Sequence, residues 1–146
     1  MFKRLATVGS ILLLAVTVAA CGDVSGGVHY SRPALVVCLH RQGVPTQDIS
    51  HPVTAFDQQV ATFLKPIDPN FIGAKFRSGE FVGIAFAADS ARASKVRGEL
   101  QKLAKSPGAT PGKITQKGSI VVLTYPHVTA GVQRTLDQCE SNAATS

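Results

Sequence analysis

Two stretches of this 146-residue chain read as one short unit used twice, and they constrain the fold more than any other feature. The first runs Phe71–Arg77, breaks at Ser78-Gly79-Glu80 and returns as Phe81–Ala87. The second runs Lys113–Gln116, breaks at Lys117-Gly118-Ser119 and returns as Ile120–Tyr125. Glycine suits both breaks because it reaches positive φ at no steric cost. A segment with apolar residues at helical spacing follows each pair: Ala93, Val96, Leu100 and Leu103, then Val128, Val132, Leu136 and Cys139. Asp89 or Ser90 can cap the first of these helices, which ends near Lys105. Two strand-strand-helix units predict an α+β fold: a four-stranded antiparallel sheet with helices on one face, plus helices at the N-terminal side. A ferredoxin-like βαββαβ order is the alternative.

Ahead of the repeat, Ser31-Arg32-Pro33 and Gly43-Val44 bracket a segment with a helix signature, proline near its start and glycine past its end. Leu35, Cys38 and Leu39 then share one face, and Val44 can supply the apolar contact of the cap. The run Ala34–Leu39 also fits a buried strand, because a short apolar run is not decided by period alone. Residues 45–52 read as loop. Val53, Phe56, Val60, Phe63 and Leu64 form the stripe of a second helix, stopped at Lys65-Pro66. Residues 142–146 read as a frayed polar tail.

The chain opens with Met1-Phe2-Lys3-Arg4, continues as an apolar run from Leu5 to Val18, and reaches Val18-Ala19-Ala20-Cys21. A basic start and a run too short to span a bilayer have the layout of a secretory signal peptide. Aliphatic, small, small, cysteine resembles the lipobox of bacterial lipoproteins; without that likeness the layout would describe an ordinary secreted protein. The resemblance implies that Cys21 receives a diacylglyceryl group, that the leader is cut before it, and that further acylation, for example with palmitate, follows in many bacteria. One acyl chain holds only marginally, whereas two or three anchor stably. The expected divisions are a signal peptide at 1–20, a lipidated tether at 21–31, a single α+β domain at 32–141 and a tail at 142–146. The expected location is the extracytoplasmic face of the cell membrane.

With Cys21 assigned to lipid by that resemblance, Cys38 and Cys139 are left as an even pair in a compartment that permits disulfides. Two unpaired buried thiols are the alternative. The mature part also resembles small exported proteins of high-GC Gram-positive bacteria, through Cys38-Leu39 followed by Gly43-Val44, strand pairs in the middle and a closing helix with a cysteine near its end. That likeness supports the fold and implies no activity.

The formal charge is +6, and +4 once Lys3 and Arg4 leave with the leader. A mild excess suits anionic lipid or a cell-wall polymer and is too diffuse for nucleic acid. The segment with Arg92, Lys95, Arg97, Lys102 and Lys105 has a basic outer face, which could lie on such a surface or be merely solvated. The histidines at 29, 40, 51 and 127 show no His-Glu-x-x-His spacing, and no Gly-x-Ser-x-Gly elbow or P-loop is present. Asp48, Asp57, Asp68, Asp89 and Glu99 form no acid–base pair. No catalytic residue, metal site or cofactor is expected. The leading expectation is a membrane-anchored binding or scaffolding module. An envelope enzyme using His127 or His40 is one rival; a carrier with an apolar cleft lined by Phe56, Phe63, Phe71 or Phe86 is another.

Overall fold

The computed structural model describes residues 27–49, 51, 61–62, 64–67, 70–107, 112–124 and 128–145. The leader, Cys21, His127 and most of the expected second helix, with Val53, Phe56, Val60 and Phe63, lie outside them.

After a two-residue strand, β1 (His29–Tyr30), the segment that periodicity left open is a helix, α1 (Arg32–Arg41). The Ser31 hydroxyl accepts from the Ala34 amide at 3.4 Å, and Pro33 stands in the first turn, where its lack of an amide proton costs nothing. At the far end Gly43 adopts φ 72°, its amide donates to the His40 carbonyl at 2.9 Å, and the Val44 amide donates to Leu39 at 2.9 Å. This pair of bonds is a Schellman closure, which favours a residue free to take positive φ. In a strand Leu35, Val37 and Leu39 would share one side. Instead Leu35 and Leu39 are buried and Val37 is 48% exposed, so the helical period holds.

The large sheet is antiparallel throughout, in the order β2-β3-β4-β6-β5, built from β2 (Thr46–Asp48), β3 (Ile72–Lys75), β4 (Phe81–Phe86), β5 (Lys113–Lys117) and β6 (Ile120–Thr124). Both expected hairpins form, with Gly79 at φ 90° and Gly118 at φ 48° in the turns. The expected four strands are five, because residues 46–48, read as loop, pair with β3 through Thr46↔Ala74 and Asp48↔Ile72. Thr-Gln-Asp carries no apolar alternation to signal a strand; the backbone donors and acceptors along the β3 edge recruit it.

Each hairpin leads to a helix, α2 (Ser90–Ala104) and α3 (Ala130–Ala143). The Asp89 carboxylate accepts from the Arg92 amide at 2.7 Å to cap α2, and the Thr129 hydroxyl accepts from Val132 at 3.4 Å to cap α3. Val128 therefore precedes α3 and packs beside the core from the incoming chain.

The helices do not share a face of the sheet, contrary to the expectation. Leu35, Leu39, Val132, Leu136 and Cys139 from α1 and α3 pack with Ile72, Val82, Ile84, Ile120 and Val122 on one side. Ala93, Val96 and Leu100 of α2 pack with Phe71, Ala85 and Val121 on the other, joined by Ala61 and Leu64. The reason lies in β4 and β6, whose alternating side chains are apolar in both directions, so each strand must be covered twice. A two-fold axis exchanging β4 with β6 would keep both helices on one side. Their opposite placement means that the two units share chain order without sharing a three-dimensional arrangement. The ferredoxin-like alternative also fails, since a βαββαβ sheet carries its helices on one face and here helices cover both.

The two ends of the described chain meet. β1 pairs with β7 (Ala144–Thr145), His29 opposite Thr145 and Tyr30 opposite Ala144. Residues 29–30 and 142–145, read as tether and frayed tail, are thus a small sheet and the last turn of α3. Cys38 of α1 and Cys139 of α3 are joined by a disulfide, with their Cα atoms 5.4 Å apart.

Candidate functional site

At one end of the sheet the Schellman turn after α1, the β3–β4 turn and the first turns of α3 enclose an open groove of about 640 Å³. Val44, Phe76 and Val132 form its apolar floor, and all three are buried. Ser78, Thr129 and Thr135 supply hydroxyls, and Arg41 and Arg77 supply positive charge, with no acidic residue in the lining. Arg41 is the last residue of α1, and its Cα stays near Gly43, two positions on. A β-carbon added at Gly43 would stand 3.8 Å from the Arg77 guanidinium, which places Arg77 over that turn. Among the described residues neither arginine has an ion-pair partner.

Glu80 holds the groove's wall together. Its carboxylate accepts from the Ser78 hydroxyl and from the Thr129 amide and hydroxyl, tying the β3–β4 turn to the start of α3. The Ser78 hydroxyl, then the Thr129 amide, hold its pKa below the usual carboxylate value. Negative charge at a helix start is also favoured by the helix dipole.

The opposite end of the sheet is where the chain enters. Val82 faces Thr124 and Phe86 faces Ile120, so the β3–β4 and β5–β6 turns lie at opposite ends of the antiparallel pair. At the second turn the Ser119 amide donates to the Val28 carbonyl at 3.0 Å, and the Tyr30 amide donates to the Ser119 hydroxyl at 3.2 Å. Close by, Lys117 bonds Asp137 at 3.0 Å and also Glu140, whose side chain is only 5% exposed. Burial pushes the Glu140 carboxyl up, and Lys117 pulls it back only in part. Burial presses the Lys117 ammonium down, but its bonds to Glu140 and Asp137 outweigh that and leave its pKa raised. Asp137, bonded to Lys117 and Gln133, sits below the usual aspartate value. A buried acid matched by one lysine and set against the β5 edge is a structural clamp between α3 and the sheet.

The residues singled out in the sequence divide as follows. Cys38 and Cys139 come together; Cys21 lies outside the described residues. His40 pairs with the Thr46 hydroxyl at 2.8 Å, with no carboxylate in that bond. His29 lies in β1 and His51 follows β2, and neither joins His40 in a group that could hold a metal ion among the described residues. Among the described residues no three His, Cys, Asp or Glu side chains could hold a metal ion, and no helix is long and apolar enough to cross a membrane. Asp48 is paired with Arg32 at 2.6 Å, Asp89 caps α2 and Glu99 pairs with Lys102 at 2.7 Å; Asp57 and Asp68 lie outside the described residues. Phe71 and Phe86 are core residues in separate clusters on opposite faces, so they line no common cleft. Arg92, Lys95 and Arg97 do lie exposed along α2.

Sequence reading did not find the groove. Arg41 and Arg77 lie far apart in the chain, in no motif, and only the docking of α1 beside the β3–β4 turn brings them together. Compared with known proteins, the chain matches no family model, no curated protein and no solved structure.

Proposed function

We propose that this chain is a lipid-anchored, extracytoplasmic binding module, attached through Cys21 and presenting the Arg41–Arg77 groove away from the membrane. The observation that carries the reading is the opposition of the two ends: the chain enters against Gly118 and Ser119, and the groove lies beyond the far end of the same strands. Six residue steps separate Cys21 from Gly27, a reach of at most about 20 Å. That keeps the entry end close to the bilayer and leaves the other end outward. The Cys38–Cys139 disulfide supports the compartment, because such bonds persist in oxidising surroundings. The exposed cations of α2 can add weak attraction to anionic lipid or wall polymer, screened at physiological salt.

Replacing Cys21 with alanine should move the protein from the membrane fraction to the soluble one. The native N-terminal peptide should carry a diacylglyceryl mass on Cys21. A Cys21→Ala protein that still pellets with membranes at high salt would refute the anchor.

A further inference from the structure

We propose that the groove binds a carboxylate carried on a short apolar stem, with Arg41 and Arg77 closing on the carboxylate and the stem lying on Val44, Phe76 and Val132. This rests on the reading of the chain as a binding module and names the chemistry of its ligand. Two arginines line a concavity without an acid in its lining, and neither is neutralised by an ion pair among the described residues. Each guanidinium presents parallel N–H donors that match the two oxygens of a carboxylate. The Glu80 carboxylate, which bonds the lining residues Ser78 and Thr129, is engaged by them and makes no ion pair with either arginine.

The apolar floor sets the second half of the requirement. Val44, Phe76 and Val132 are the only large apolar residues among the groove's lining, and they are buried where Arg41 and Arg77 are exposed. A bare inorganic anion would leave that surface uncovered. An apolar molecule without charge would make no use of the two exposed cations at the rim. A carboxylate next to an aliphatic group satisfies both. A peptide C-terminus and a free short-chain acid share this chemistry.

The test titrates the purified full chain in detergent with four probes: N-acetyl-alanyl-alanine, its C-terminal amide, isovalerate and inorganic phosphate. Backbone amide shifts serve as readout. The expected result is saturable shifts at Gly43, Ser78 and Thr135 with a free carboxylate, and at least about tenfold weaker binding of the amide. Binding of the dipeptide above isovalerate assigns the ligand to peptide ends, and the reverse order assigns it to free acids. Arg41→Gln and Arg77→Gln should each weaken carboxylate binding about tenfold or more, as loss of a charge-assisted pair implies. Lys95→Gln on α2 should leave it unchanged. Both arginine variants should melt as the parent does, since neither side chain is part of the core. Equal binding of acid and amide, phosphate binding as tight as carboxylate, shifts confined to other surfaces, or full binding by the double arginine variant would overturn the assignment. None of these outcomes depends on Cys21, so failure here leaves the anchoring experiment to be judged separately.

Discussion

Gly118 lies directly under the carbonyl of Val28: a β-carbon added there would stand 2.0 Å from the Val28 oxygen. The residue also has φ 48°, so both space and conformation favour glycine. Gly118→Ala should lower stability by at least about 1–2 kcal/mol. It should also speed hydrogen exchange at Tyr30 and Ser119, whose amides hold the entering strand. Unchanged protection at those two amides would mean that the strand does not depend on this contact.

Gly98 is the opposite case. It lies inside α2, and an added β-carbon there would meet nothing within 4 Å. Gly98→Ala should stabilise the protein by about 0.5–1 kcal/mol, the ordinary helix preference. A lower melting temperature would show that the space above this position is used.

Among the described residues Lys117 is the ion-pair partner of the buried Glu140 side chain, with the charge of Asp137 nearby. Lys117→Met removes the cation that matches the buried Glu140 carboxylate, a loss of about 1–3 kcal/mol once the lysine's partial exposure is allowed for. Glu140 already has a raised pKa, and losing Lys117 raises it further. The deficit should therefore shrink as pH falls through that raised value and the acid becomes neutral. In the parent, Lys117 has a raised pKa, so its contribution is complete below about 10.5 and is lost as pH rises through the higher folded value. Denaturant midpoints of parent and variant across pH would reveal a constant gap if the pair were unimportant.

Glu80 makes the acid side of the stability profile. Its pKa lies below the ordinary 4.5, so its link from turn to helix contributes above that value and is lost as pH falls through the lowered one. Glu80→Ala should lower the melting temperature at pH 7 and flatten the decline below pH 4.5. Parallel acid limbs in parent and variant would reject the role.

The Cys38–Cys139 bond closes a separation of 101 residues between α1 and α3. Replacing both with serine should cost about 2–5 kcal/mol, read as a shift of the urea midpoint. The double change avoids leaving a lone reactive thiol. A loss under about 1 kcal/mol would mean that α1 and α3 are held by Leu35, Leu39, Val132 and Leu136 alone.

Legibility followed the range of the interaction. The hairpins around Gly79 and Gly118 could be read because a turn and its flanking strands are local. The same holds for α1, whose Ser31, Pro33, Gly43 and Val44 all act within a turn of its ends. The placement of α2 was misread although the sign was present: β4 reads Phe-Val-Gly-Ile-Ala-Phe, apolar in both alternating sets, which asks for cover on two sides. Strand β2 left no such sign, because Thr46–Asp48 is recruited by the edge of β3. The pairing of residues 29–30 with 144–145 was equally silent, being made by backbone atoms that every sequence has.

By itself the order of residues determined where the two hairpins turn, where α2 begins and ends, how α1 is capped, and that the cysteines at 38 and 139 fall on apolar helix faces, since these depend on neighbours a few positions away. Only the tertiary structure decided which helix covers which face, that the domain's ends join beside Gly118, and that Arg41 and Arg77 share a groove. Those outcomes depend on packing between segments distant in the chain, where many partners satisfy the same local pattern and only simultaneous burial of every apolar face selects among them.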